Sequence, residues 1–243
     1  MDALSLYKAG HLREAIDALG DELKKQPLDT KRRTFLFELL CFAGEYDRAE
    51  KHLNILSDAS PEAASGSMLY RAALHAERER QDMFARNALP IGSSHPSSSG
   101  ELNGEQFSGI VDADPRIGAN LEAFIAGSYT WIPFAYIESI ETEPPKKLRD
   151  LLWLPAILHA TADFRLQDLG EILLPVIAPL SWKHADDEVR LGRATVWEDD
   201  PEHGAIPSGQ KLLLLEEEEE PILELRKLTF HHAGERAESA AAR

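Results

Sequence analysis

Two short clusters bring carboxylates and cations close enough in sequence to do chemistry. Asp112-Ala-Asp114 followed by Arg116 places two acids at i and i+2, which point the same way at the end of an extended segment and could hold a cation. His184-Ala-Asp186-Asp187 with Arg190 and Arg193 gathers a histidine, two acids and two arginines. In both clusters a nearby arginine neutralises the acids more simply than a metal ion would, so salt bridges are the expected role. The run Glu216–Glu220 could draw a cation or a basic partner, and a solvated turn is its default reading. Cys41 stands among Leu39, Leu40 and Phe42 with no His or Asn motif beside it, the setting of a small buried hydrophobe. His231-His232 reads as solvated tail. Phosphate loops, zinc-protease helices, nucleophile elbows and dinucleotide fingerprints are all missing from the sequence. No catalytic residue, metal or cofactor is therefore expected.

The chain that must position these residues has 243 of them, 43% hydrophobic, enough at about 150 residues per domain for two modest domains. A net charge of −16 opposes phosphate backbones and anionic lipid, which excludes nucleic acid and membrane surfaces as partners. Apolar stretches such as Ile172–Leu180 fall short of the ~20 residues a membrane span needs, and Met1-Asp-Ala-Leu-Ser lacks the features of a signal peptide. A cytoplasmic location is the expectation. One cysteine rules out an internal disulfide and any Cys-rich zinc site. Residues 1–90 carry 13 basic and 15 acidic side chains and the remainder 13 and 27, a difference that suggests two units with different surfaces. Between them 91–106, rich in Ser, Gly and Pro, reads as a linker, and 231–243 as a disordered tail.

The first unit, 1–90, repeats itself. Gly10 and Gly44, Leu12 and Tyr46, Ala15 and Ala49, Leu19 and Leu53, and Pro27 and Pro61 are each 34 apart, the tetratricopeptide period. Ala15 and Ala49 would sit at helix crossings and the glycines in the turns. A third copy near Ala64 has Arg78 where the glycine should be, so 62–88 reads as one long helix. Inward positions of such arrays form a concave face, here Lys8, Thr34, Glu38, Met68, Ala72 and His75. That face is open to a helix or an extended peptide, or filled by the protein's own second domain.

From Phe107 the pattern turns to short mixed segments. Phe107–Val111, Ser128–Pro133, Ile137–Glu143, Ala156–Ala162, Glu171–Ile177 and Arg193–Val196 read as strands. Arg116–Ala126 reads as an amphipathic helix, and Asp186–Leu191 as a helical turn. Lys211–Leu215 and Ile222–Phe230 read as a hairpin with the acidic run at its tip. The fold class is therefore tetratricopeptide-like helical hairpins followed, over 107–230, by a mixed, mostly antiparallel α+β domain. All four tryptophans, Trp131, Trp153, Trp182 and Trp197, lie in this second domain, where core and interdomain packing is the expected use.

The paired hairpins, followed by Phe107-Ser-Gly-Ile-Val-Asp-Ala-Asp-Pro-Arg-Ile-Gly118, Tyr129-Thr-Trp-Ile-Pro-Phe134, Pro144-Pro145 with Leu148-Arg-Asp-Leu-Leu-Trp153, and Arg190-Leu-Gly-Arg-Ala-Thr-Val-Trp197, resemble the ImpE family, also called TagJ. The resemblance spans residues 4–230. It implies a non-enzymatic accessory protein of a bacterial type VI secretion system that binds the N-terminal helix of the small contractile-sheath subunit, TssB. It leaves Asp114, Arg116, Trp131, Arg149, Trp153, Arg190, Arg193 and Trp197 with structural roles. A generic tetratricopeptide adaptor is the alternative, and an enzyme built on Asp112, Asp114, Arg116, Arg190 and Arg193 is a more distant one. Convergence of those five on an open cleft, rather than their pairing off in packed surroundings, is what separates the enzyme from the adaptors.

Overall fold

Gly10 and Gly44 both take left-handed backbone angles, φ +83° and +68°, and close equivalent turns. His11 N–H donates back to Leu6 O, and Glu45 N–H to Leu40 O. Each turn joins two helices: α1 (Ala3–Lys8) to α2 (Leu12–Lys25), and α3 (Thr30–Phe42) to α4 (Tyr46–Ser57). Asp2 and Asp29 cap α1 and α3 by accepting the Ser5 and Arg32 N–H groups. Ala15 and Ala49 are completely buried, so the 34-residue spacing places both small side chains inside the helical core. With Arg78 in place of a turn glycine, nothing interrupts the next helix, and α5 runs unbroken from Pro61 to Ala85. The structure, a computed structural model, describes residues 1–58, 61–90, 98–164, 169–216 and 218–232.

Beyond the helices the chain builds antiparallel sheets. The strands are β1 (Gly100–Leu102), β2 (Glu105–Phe107), β3 (Ile110–Asp112), β4 (Asn120–Ile125), β5 (Ser128–Pro133), β6 (Ile137–Thr142) and β7 (Trp153–Ala160). They continue with β8 (Gly170–Pro175), β9 (Thr195–Asp200), β10 (Gly204–Gly209), β11 (Leu212–Leu215), β12 (Glu218–Pro221) and β13 (Lys227–Phe230), and a one-turn helix α6 (Asp187–Arg190) precedes β9. Eight form one sheet in the order β2-β1-β13-β6-β7-β8-β4-β5; β12-β11-β3 form a second, and β9-β10 a hairpin. Helix α5 lies against β4 and β5, and the 3-10 turn Leu148–Leu151 against α3. One apolar cluster consequently runs from Leu12, Phe37 and Leu40 through to Phe124, Trp153 and Leu173.

Three expectations from sequence need correction. Arg116–Ala126 is not a helix: Asp114 and Gly118 close a turn and β4 follows. All but one residue of β4 is buried, and a strand covered on both faces loses the alternation that distinguishes it from a helix. The hairpin with an acidic tip is shorter than expected, because Glu216 at φ +58° turns the chain directly and Glu218–Glu220 pair with β11. Their carboxylates sit on an edge strand facing water, where charge is tolerated and discourages further pairing. The distal strand β13 pairs instead with β6 and β1. Finally, the polar stretch 91–106 supplies β1 and β2 from Gly100 onward, and residues 91–97 lie outside those described. Of the tail, His231 N–H donates to Ser99 O and the His232 Nε2 contacts Ile137 O at 2.8 Å, while 233–243 lie outside the described residues.

Candidate functional site

The two sequence clusters separate in space, and each is absorbed by its own partners. Arg116 embraces Asp114 with Nε at 2.8 Å and Nη2 at 2.6 Å, and its guanidinium lies 4.8 Å from the Phe84 ring centroid on α5. Asp112 points elsewhere, accepting from Lys211 Nζ at 2.5 Å. Asp186 caps α6, Arg190 pairs with Asp187 at 3.0 Å, and Arg193 donates to Tyr7 O at 2.6 Å at the C-terminal end of α1. Asp112, Asp114 and Arg116 thus pair off in packed surroundings, Arg190 and Arg193 pair with their own neighbours nearer the surface, and the five do not meet in one cleft. Among the described residues no three His, Cys, Asp or Glu side chains are grouped to hold a metal ion.

What joins the helices to the sheet is a buried ionic network centred on residues that the sequence patterns did not single out. Arg80, fully buried on α5, donates to both carboxylate oxygens of Glu122 on β4, at 2.7 and 3.0 Å, to Glu77 at 3.2 Å and to Ile177 O at 2.9 Å. Lys211 bridges Glu122 and Asp112, each at 2.5 Å. Glu77 also accepts from Trp153 Nε1 at 3.0 Å and from Gln81, whose own carbonyl accepts from Leu180 N–H and Trp182 Nε1. Tyr129 donates to Glu122 and accepts from Trp131 Nε1. Two cations therefore serve three buried carboxylates. Burial would raise Glu122, but the attraction of Arg80 and Lys211 prevails and its pKa falls. Asp112, sharing one lysine and facing the charge of Glu122, is pushed up to about 6 by its burial. A sequence signal existed: Glu77, Arg80 and Gln81 share a helix face, Glu122 lies within Asn120-Leu-Glu-Ala-Phe-Ile125, and Lys211 precedes four leucines. Single charges of opposite sign inside apolar runs find burial affordable only together.

The six nominated concave residues do not line one open face. Glu38 is buried, receives the Tyr70 hydroxyl at 3.2 Å, and is pushed up to about 7 by burial, with Arg149 opposing the shift. Arg149 itself lies 5.5 Å from the Tyr70 ring centroid and 3.3 Å from Asp150. Ala72 faces the β4–β5 turn, 3.2 Å from where a side chain on Gly127 would begin. The sheet part thus covers the middle of that face, while Met68 and His75 remain exposed on α5 and Lys8 and Thr34 lie nearer its other end. Trp153 is buried in the seam, whereas Trp197 on β9 is 41% exposed.

At that other end an apolar groove of about 430 Å³ stays open, with Leu4, Tyr7 and Phe35 from α1 and α3 on one wall and Pro145, Leu148 and Leu151 on the other. Tyr7 and Phe35 meet edge to face at 5.6 Å, and Leu4 is 51% exposed. The 3-10 turn Leu148–Leu151 that forms part of this lining docks on α3. Residues 104–229 match the family model described as ImpE protein. The chain is 30% identical to the type VI secretion system accessory component TagJ of Pseudomonas aeruginosa, over 95% of this chain and 91% of that one. A solved structure from Vibrio parahaemolyticus superposes with a TM-score of 0.83 at 24% identity, covering 95% of this chain and 97% of that one, and so has the same fold.

Proposed function

The chain belongs to the ImpE family, and from that premise we propose that it is a non-enzymatic accessory component of a type VI secretion system that holds the N-terminal helix of the small sheath subunit, TssB. The observation that carries the reading is the open apolar groove between α1, α3 and the Leu148–Leu151 turn. An amphipathic helix laid into such a groove desolvates its apolar edge and leaves its charged side at the rim. The helical hairpins, read as tetratricopeptide-like, supply one wall of this groove, with Lys8 and Thr34 on the same helices. Pairing of Asp112, Asp114, Arg116, Arg190 and Arg193 with their own neighbours favours a binding protein over an enzyme. A groove of this kind needs no membrane or nucleic acid, and the role places the protein in the cytoplasm beside the sheath.

Calorimetry with a peptide of about 20 residues from the N-terminus of the cognate sheath subunit tests this. Because the free peptide is unfolded, binding must offset its ordering, and micromolar affinity is expected. A proline placed mid-helix should abolish the heat. No heat from the unmodified peptide at about 100 μM protein would sink the sheath assignment and favour a generic adaptor.

A further inference from the structure

Four lysines surround the groove assigned to the partner helix, in a chain whose net charge is −16. Lys146 and Lys147 line it directly. Lys8 lies one turn along α1 from Leu4, and Lys31 one turn along α3 from Phe35, so each shares a helix face with a groove residue. Lys8, Lys31 and Lys147 are exposed and, among the described residues, their ammonium groups have no carboxylate within 4.0 Å, the Asp150 carboxylate being taken at 2.9 Å by the backbone N–H groups of Lys146 and Lys147; the Lys146 ammonium has the exposed Glu143 at 3.5 Å. Elsewhere on the helices Lys24, Arg32 and Arg86 each carry their own acid at 2.8 to 3.0 Å, while Lys25 and Lys51, among the described residues, also have none within 4.0 Å, so the groove is distinguished by the gathering of its lysines rather than by their lack of partners. Four lysines around an apolar floor, three of them without an ion-pair partner among the described residues, form a local inversion of charge on an otherwise acidic molecule.

We propose that this groove recognises an amphipathic helix whose apolar edge is flanked by acidic side chains, with the four lysines as its complementary rim. The inference rests on reading the groove as the helix-binding site and adds the charge pattern of what it accepts. Desolvation of the apolar edge supplies affinity, and rim charges supply orientation and selectivity. The molecule's overall negative charge would repel such a partner at a distance. At physiological salt, screening sets in at about 8 Å, so contacts at the rim outweigh the remote acids.

Fluorescence anisotropy with the full chain tests it. Two labelled 18-residue model helices share a Leu/Ala edge and carry either Glu or Lys on both flanks, and the cognate sheath-subunit peptide forms a third arm. The expected result is that the Glu helix binds about tenfold more tightly than the Lys helix. Lys31→Glu with Lys147→Glu should reverse the preference, and Leu4→Asp should weaken both helices, each variant keeping the parent's thermal midpoint. Equal binding of both helices, a preference unmoved by the charge variant, or indifference to Leu4→Asp overturns the proposal. So does a concentration-dependent dimer that Leu4→Asp dissolves, which would give the groove to a second copy. If the cognate peptide binds but ignores every variant, the sheath reading stands and this groove is not its site. If the Glu helix binds as described and the cognate peptide does not, the groove chemistry stands and the sheath reading falls.

Discussion

Glu38 holds its charge at a cost. Buried beneath Tyr70, it has its pKa pushed up to about 7 from an ordinary 4.5, because Arg149 only partly offsets the loss of water. Its folded form binds a proton more readily than its unfolded form, so its contribution to stability is present below pH 4.5 and lost as pH rises through 7. Glu38→Gln keeps the acceptor for the Tyr70 hydroxyl and removes the ionisation. The variant should be more stable than the parent at pH 8, by about 2 kcal/mol, and equal to it near pH 4. Urea denaturation at the two pH values measures this, and a constant difference between them would contradict it. Arg80 presents the opposite situation, a buried cation whose removal leaves Glu77 and Glu122 short of charge. Arg80→Met should cost about 3 to 5 kcal/mol, and adding Glu122→Leu should recover part of that loss. A double variant less stable than the sum of the two single changes would show that the network is not held together by mutual neutralisation.

At the scale of elements, the turn between α3 and α4 is also a docking point. A Cβ on Gly44 would come within 2.4 Å of Trp182 Cδ2, and the residue's φ of +68° is one that side chains rarely adopt. Gly44→Ala should therefore cost about 1 to 3 kcal/mol and perturb Trp182 fluorescence, because the ring cannot stay where it is. Gly10, whose added Cβ would first meet the flexible end of the Glu188 side chain, should lose less on the same change. Equal losses at the two sites would separate the repeat turns from the packing of the sheet part. In the helical core, Ala49→Leu should overpack a fully buried site, costing about 1 to 3 kcal/mol by the shift in denaturation midpoint. Both glycines and both alanines were legible from the 34-residue spacing, since a repeat imposes the same local geometry twice. The strand β4 was not, because burial on both faces erases its period.

At the scale of the whole molecule, one apolar cluster crosses the seam between helices and sheet, a second fills the sheet part, and Ile177 packs against both, while Glu77, Arg80 and Gln81 reach from α5 to β4, Trp153 and Trp182. Thermal unfolding should accordingly be a single calorimetric transition, with residues 1–90 far less stable alone than in the full chain. Two transitions, the lower one carrying the helical signal, would show that the parts fold independently. Local information sufficed for the helical hairpins, the antiparallel character of the second half and the family motifs, since periodicity, turn glycines and capping residues act over a few positions. It sufficed also to assign Asp114 and Arg116 to each other, two residues apart. Only the tertiary structure brought Arg80 to Glu122, 42 residues on, and Lys211 to Asp112, 99 residues back, and covered Glu38 and Ala72 while leaving the groove beside Leu4 and Phe35 open. Which faces are buried and which remain free depends on how two amphipathic surfaces meet, and that is set by the packing of all the elements together.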